Sequence, residues 1–236
     1  MKVKILLFVL VVILSSGCKE QGSIVPPSGE FTTTVKPILD RSCGGPDCHG
    51  GGPRGFAAAL DLTSYDGIFR GSKNGAVVIS GNPYMSPLVQ TINQTDTTLS
   101  PLSSARMPLS RDPLPNSDIQ AIVQWIRDGA RNEDGSLPFP EPRPLGKVFF
   151  TSQFVDLAGV IDISTGLIMR YVKVGNSLPL NTPPQSPHNV QVDDQGLYYY
   201  VTLIRGKKLR KYDAATNELL GEVPVGVLPA HVVITP

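Results

Sequence analysis

Cys43-Gly44-Gly45-Pro46-Asp47-Cys48-His49 puts two thiols and an imidazole within seven residues. A chain built around such a cluster has to fold so that sulfur and nitrogen converge. A haem can be held by two thioether bonds with the histidine on its iron. The usual attachment motif has two residues between the cysteines, and here there are four. A Cys43–Cys48 disulfide is the rival. Structural zinc asks for four ligands, and Cys43, Cys48 and His49 are the local donors, with Asp47 not completing a convincing set.

The cysteine count bears on the choice. There are three cysteines, and the third, Cys18, follows an export signal. Lys2 and Lys4 make a positive end, and residues 5–14 are an apolar run of ten, too short to span a bilayer and suited to a signal-peptide core. Leu14-Ser15-Ser16-Gly17-Cys18 resembles the lipobox of bacterial lipoproteins, with Ser15 where leucine is commonest. That resemblance implies removal of residues 1–17, a lipid on Cys18 and a membrane anchor. Residues 18–30, rich in Ser, Gly and Pro after position 21, read as a flexible tether. An exported protein sits where disulfides persist, so Cys43–Cys48 pairing stays open at this point. Formal net charge is +1, which gives no argument for a nucleic-acid partner.

Residues 31–135 carry helical patterns. Thr32–Thr34 can cap a helix over 31–41, where Val35, Ile38 and Leu39 share a face. Residues 64–70 suit a middle helix. Asn116-Ser117-Asp118 offers caps and an acidic first turn, Ile119, Ile122, Val123 and Ile126 make a stripe with Trp125 beside it, and Gly129 can end the helix. Met107 lies 58 residues after His49, just before this last helix. A lone methionine is more often core filler, but a thioether is also a soft iron ligand that raises a haem potential. Of four methionines, Met1 goes with the signal and Met169 lies in a strand pattern, which leaves Met85 as the competitor.

Val35-Lys36-Pro37-Ile38-Leu39, then Cys48-His49-Gly50-Gly51, Leu62-Thr63-Ser64-Tyr65, Gly81-Asn82-Pro83, Met107-Pro108 and residues 122–130 occur in that order. Together they resemble the c-type cytochrome domains of exported multidomain bacterial proteins, a group that often has long spacings between its two cysteines. The resemblance covers about 100 residues. It implies one covalent haem c on Cys43 and Cys48, with His49 and Met107 as axial ligands. Residues 82–86 read as a structural turn.

Residues 136–146 are a proline-rich linker that should be extended, stiff and poor in contacts. Residues 147–236 then read as strands and repeat. Asp162 and its Ser164-Thr165-Gly166 turn recur at Asp213 with an offset of 51; Pro187-His188-Asn189-Val190 recurs at Pro229 with an offset of 42. A period in the forties with four strand patterns is a β-propeller signature. Tyr198-Tyr199-Tyr200-Val201-Thr202 after Asp194-Gln195-Gly196 resembles YVTN-type propeller repeats. There is material for about two blades, and the second copy breaks off at Pro236, as in a piece of a longer protein. His188 and His231 read as structural hydrogen-bonding residues before metal ligands. Arg205-Gly206-Lys207-Lys208-Leu209-Arg210-Lys211 reads as a solvated hairpin turn first and an anion-docking patch second.

The expectation is a multidomain chain: a mainly α cytochrome c-like domain, then an all-β partial β-propeller. Its work is one-electron transfer, as a carrier rather than a catalyst in itself, between redox partner proteins. It is exported and lipid-anchored to a bacterial membrane, on the periplasmic face or, given Lys19-Glu20 after Cys18, the cell surface. Two alternatives stand beside it: an electron-relay domain of a propeller-containing redox enzyme, and a non-redox lipoprotein interaction module with a Cys43–Cys48 disulfide.

Overall fold

The structure is a computed structural model that describes residues 30–50, 57–103, 105–142, 145–176 and 183–235. The signal segment, Cys18 and most of the tether lie outside the described residues.

The helical part opens with a wide π-type turn, Phe31–Val35, that runs directly into α1, Lys36–Ser42. Pro37 has no N–H to donate back along the helix, and the widened turn falls just before it. The chain is already helical at Glu30, with no side-chain cap, so Thr32–Thr34 sit inside the helical run instead of capping it. Helix α2, Tyr65–Arg70, starts at Ser64, whose hydroxyl accepts from Gly67 N at 3.0 Å. Helix α3, Pro87–Ile92, was not among the expected helices; proline at its first position follows the buried Ser86. Helix α4, Asn116–Arg127, has Pro115 at its N-cap, so Asn116-Ser117-Asp118 forms its first turn without capping it. Asp118 instead pairs with Arg41 of α1. Gly129 closes α4 at φ +102°, as expected, with Gly129 N to Ile126 O at 3.1 Å and Ala130 N to Trp125 O at 2.8 Å. Trp125 is fully buried, and its Nε1 donates to Arg131 O at 2.9 Å.

Among the described residues the β part contains seven strands in two antiparallel meanders. The first is β1 (Lys147–Ser152), β2 (Leu157–Asp162) and β3 (Leu167–Lys173). The second is β4 (Pro187–Val192), β5 (Tyr198–Leu203), β6 (Lys208–Asp213) and β7 (Leu219–Pro224). Among the described residues they do not close into a barrel. The repeat offset of 51 holds at the level of register. Lys147 pairs with Asp162 and Ser152 with Leu157; Tyr198 pairs with Asp213 and Leu203 with Lys208. Even the irregularity recurs, between Val160 and Ile161 in β2 and between Lys211 and Tyr212 in β6. The turns match for a chemical reason. Asp162 accepts from Thr165 N at 3.0 Å and Asp213 from Thr216 N at 2.8 Å, while Gly166 (φ +70°) and Asn217 (φ +62°) take the left-handed position that each hairpin requires.

The two parts are not separated by a contact-free linker. Val160 and Met169 belong to the same buried cluster as Phe31, Leu39, Ile122 and Trp125. Phe139 of the linker is buried in that cluster, and Glu141 pairs with Lys147 at 2.7 Å. Arg170 of β3 forms a parallel bridge with Ser80. A second cluster, with Ala158, Tyr199, Val201 and Tyr212, joins the two sheets. The basic stretch divides: residues 204–207 are the turn, and Lys208–Lys211 are strand, with Lys208 and Arg210 both paired to Glu222 of β7.

Candidate haem site

Helix α1 ends at the site. Leu39 O accepts from Cys43 N at 2.7 Å and from Gly44 N at 2.9 Å. Four residues then intervene before Cys48, and the loop folds back on itself: Cys48 N donates to Gly45 O and His49 N to Cys43 O, both at 2.9 Å. The loop is tight. A Cβ on Gly50 would stand 2.5 Å from Gly44 O, so this return needs glycine there. His49 O accepts from Leu62 N at 2.8 Å, and Gly50 bridges Asp61, which fixes the loop to the segment before α2.

A cavity of about 380 Å³ opens beside this loop. Cys43, His49 and Met107 all line it, and Leu62, Val77, Leu88 and Ile92 supply apolar walls. Met107 is brought there by α3, because its N–H donates to Thr91 O at 2.9 Å. Sequence reasoning missed Thr91 because it missed α3; Ser86-Pro87 ahead of Leu88, Val89 and Ile92 was the available signal. Met85 does not line the cavity. Its N–H donates to Asn82 Oδ1 at 3.0 Å, and Ser86 Oγ donates to Asn82 O at 2.8 Å, so residues 82–86 are a self-bonded turn.

Cys43 and Cys48 are free thiols, Cys43 buried and Cys48 half-buried. Burial, reinforced by the neighbouring Cys48 and opposed by Arg111, pushes the Cys43 thiol up to about 11. Burial lowers the pKa of His49 and so favours the neutral ring, partly offset by a hydrogen bond to the Leu60 backbone. His49 Nδ1 is buried with no hydrogen-bond partner. Cys48 does not line the cavity but sits next to His49, which does. An imidazole with an unused nitrogen, a thiol and a thioether on one apolar cavity, with a second thiol beside it, form a donor set that fits a haem.

His188 and His231, which are not at equivalent repeat positions, are brought together: their rings stand 5.4 Å apart, and His188 Nδ1 lies 2.9 Å from Ala230 O.

Residues 46–100 match the family model described as Planctomycete cytochrome C. The match includes Cys48 and His49 and excludes Cys43 and Met107. No curated protein matches the chain. Among solved structures, apo AztD from Citrobacter koseri is 23% identical over 40% of this chain and 26% of its own, with a TM-score of 0.30. A luciferin-regenerating enzyme is 20% identical over 34% of this chain and 26% of its own, with a TM-score of 0.26. The dihydro-haem d1 dehydrogenase NirN, in complex with DHE, is 13% identical over 82% of this chain and 39% of its own, with a TM-score of 0.23. The chain thus spans well under half of each structure, and at these TM-scores the likeness carries no weight. The family match and the helical-then-β architecture fit a cytochrome domain followed by a β-rich domain, and a cytochrome c domain implies covalently bound haem c.

Proposed function

We propose that the chain is an exported electron-transfer protein whose helical part carries one haem c, on thioethers at Cys43 and Cys48, with His49 and Met107 as axial ligands. The observation that carries this reading is the meeting of Cys43, His49 and Met107 on one apolar cavity although Met107 is 58 residues beyond His49. Haem bound in this way supplies one-electron exchange at iron. The chain's own residues do the rest. His49 offers a neutral ring to the metal. Met107, held by Thr91 O, offers a soft sulfur that favours the ferrous state. Leu62, Val77, Leu88 and Ile92 keep water away, which also favours the less charged state.

The same reading gives residues 147–236 as β-propeller repeats, supported by the shared register at an offset of 51. It has the chain held at a bacterial membrane, on the periplasmic face or cell surface, by lipid on Cys18, supported by the lipobox-like Leu14-Ser15-Ser16-Gly17-Cys18, and trading electrons with redox partner proteins, not nucleic acid.

The test is to co-express the full chain with haem-maturation machinery that accepts the four-residue spacing. The purified protein should carry one haem by mass and, when oxidised, a weak band near roughly 695 nm diagnostic of methionine on iron. Met107→Ala should remove the band and lower the reduction potential by on the order of 100 mV. Met85→Ala should do neither. Protein of haem-free mass, or a band that follows Met85, would overturn the assignment.

A further inference from the structure

His188 lies on β4 and His231 follows β7, 43 residues later, yet their rings meet at 83° with centres 5.4 Å apart. His188 Nδ1 faces Ala230 O at 2.9 Å. A carbonyl oxygen only accepts, so in the neutral ring Nδ1 carries the proton and Nε2 is left as a bare lone pair. An imidazole whose far N–H is tied to a backbone carbonyl is the arrangement that orients histidine on a metal.

The surrounding hydrogen bonds hold both segments. His188 O accepts from Thr151 Oγ1 of β1 at 3.1 Å, and Asn189 Oδ1 accepts from Val232 N at 3.0 Å. Thr202 Oγ1 of β5 donates to Ala230 O at 3.2 Å and accepts from Asn189 N at 3.1 Å. The residues on either side of His231 are therefore anchored to the strand that carries His188. His231 itself is exposed and His188 is half-buried, so an ion has access.

The spacing is also right for a shared ion. Two imidazoles on one tetrahedral metal, each with its ring centre about 3.2 Å from the ion, stand about 5.2 Å apart. Imidazole nitrogen suits zinc, copper and nickel. Among the described residues no group of three or more His, Cys, Asp or Glu could hold a metal. Two protein ligands leave positions open to water or a small ligand, the pattern of an exchangeable ion and not of a structural one.

We propose that His188 and His231 together bind one divalent transition-metal ion at the junction of β1, β4 and the segment after β7. This site is separate from the haem cavity. The chain's remaining histidine is His49.

The experiment is a calorimetric titration of the full haem-loaded chain with Zn²⁺, beside His188→Gln and His231→Gln. Wild type should take up one ion, and each substitution should weaken binding at least about tenfold. The haem spectrum and melting profile of each variant report whether it is folded. A second readout uses wild type alone: Cu²⁺ bound at the pair should show two coupled nitrogens by electron paramagnetic resonance. Absence of uptake, affinity unchanged in both variants, or a copper signal with fewer than two nitrogens would overturn the site and leave a plain edge-to-face ring contact. The compared chains differ only at the pair, so a loss of binding confined to the variants reports on the pair and not on the haem site.

Discussion

Helices α1 to α4 wrap one apolar cluster and leave a cavity of about 380 Å³ beside it, whereas the two sheets are built from one repeated unit and leave apolar surface at the margin. The two copies of that unit share register, bulge and turn, but not surroundings. In β2 and β3, Val160 and Met169 are buried in the helical core; in β7, 51 residues after β3, every position is exposed. The helical part takes its architecture from long-range convergence and leaves a cavity in its packing. The β part takes its architecture from local repetition, and each copy depends on what happens to lie beside it.

The largest expected break in this contrast comes from emptying the cavity. Cys43→Ser with Cys48→Ser should abolish covalent haem, and the helical part should then melt lower by on the order of 10 °C or more while sheet content persists. Circular dichroism and absorbance, followed together, check this; helices that melt unchanged would mean the cavity is not a cofactor's place.

Next in size is the shared core. Met169 is 1% exposed, and Met169→Ala should cost about 2–5 kcal/mol. Denaturant unfolding read by haem absorbance should shift together with unfolding read by sheet signal. If only the sheet signal moves, the two parts are independent and the contact-poor linker expected from the proline-rich sequence is restored.

The smallest effect should stay inside the β part. The fully buried Asp156 accepts from Asn176 N, Gln185 N and Ser186 N, each at 2.9 Å, and so clamps both ends of the long connection between β3 and β4. Asp156→Ala leaves those donors unpaired and should cost about 2–3 kcal/mol, with Asp156→Asn, which keeps one acceptor oxygen, costing less. Hydrogen exchange should localise the loss to the sheets. Faster exchange in α1 or α4 would show the coupling through Val160 and Met169 to be stronger than their burial implies.

What could be read directly were features whose cause lies within a few residues. Asp162 and Asp213 bind the backbone of their own turns, and Gly129 supplies a conformation that its own helix end needs. The register at an offset of 51 was legible because strands pair through the turns that join them. Misreadings fell where competing local signals existed. Three threonines look like caps, but the chain is helical before them at Glu30. Helix α3 has six residues, too short for a periodic stripe to stand out, and it is secured by the bonded turn of Asn82 and Ser86 ahead of it.

The candidate site divides the same way. Cys43, Cys48 and His49 are neighbours in sequence, so their clustering was legible there. That Met107, and not Met85, reaches the cavity was decided by Thr91 O on a helix the pattern did not reveal. The meeting of His188 with His231 was decided by strand packing around Ala230, since the repeat offset of 42 puts them one position out of step. The sequence placed Val160 and Met169 in strand patterns, as apolar side chains in need of cover. Only the tertiary structure decided that helices, not a third sheet, would cover them, because hydrophobic burial specifies the area removed from water and not the partner that removes it.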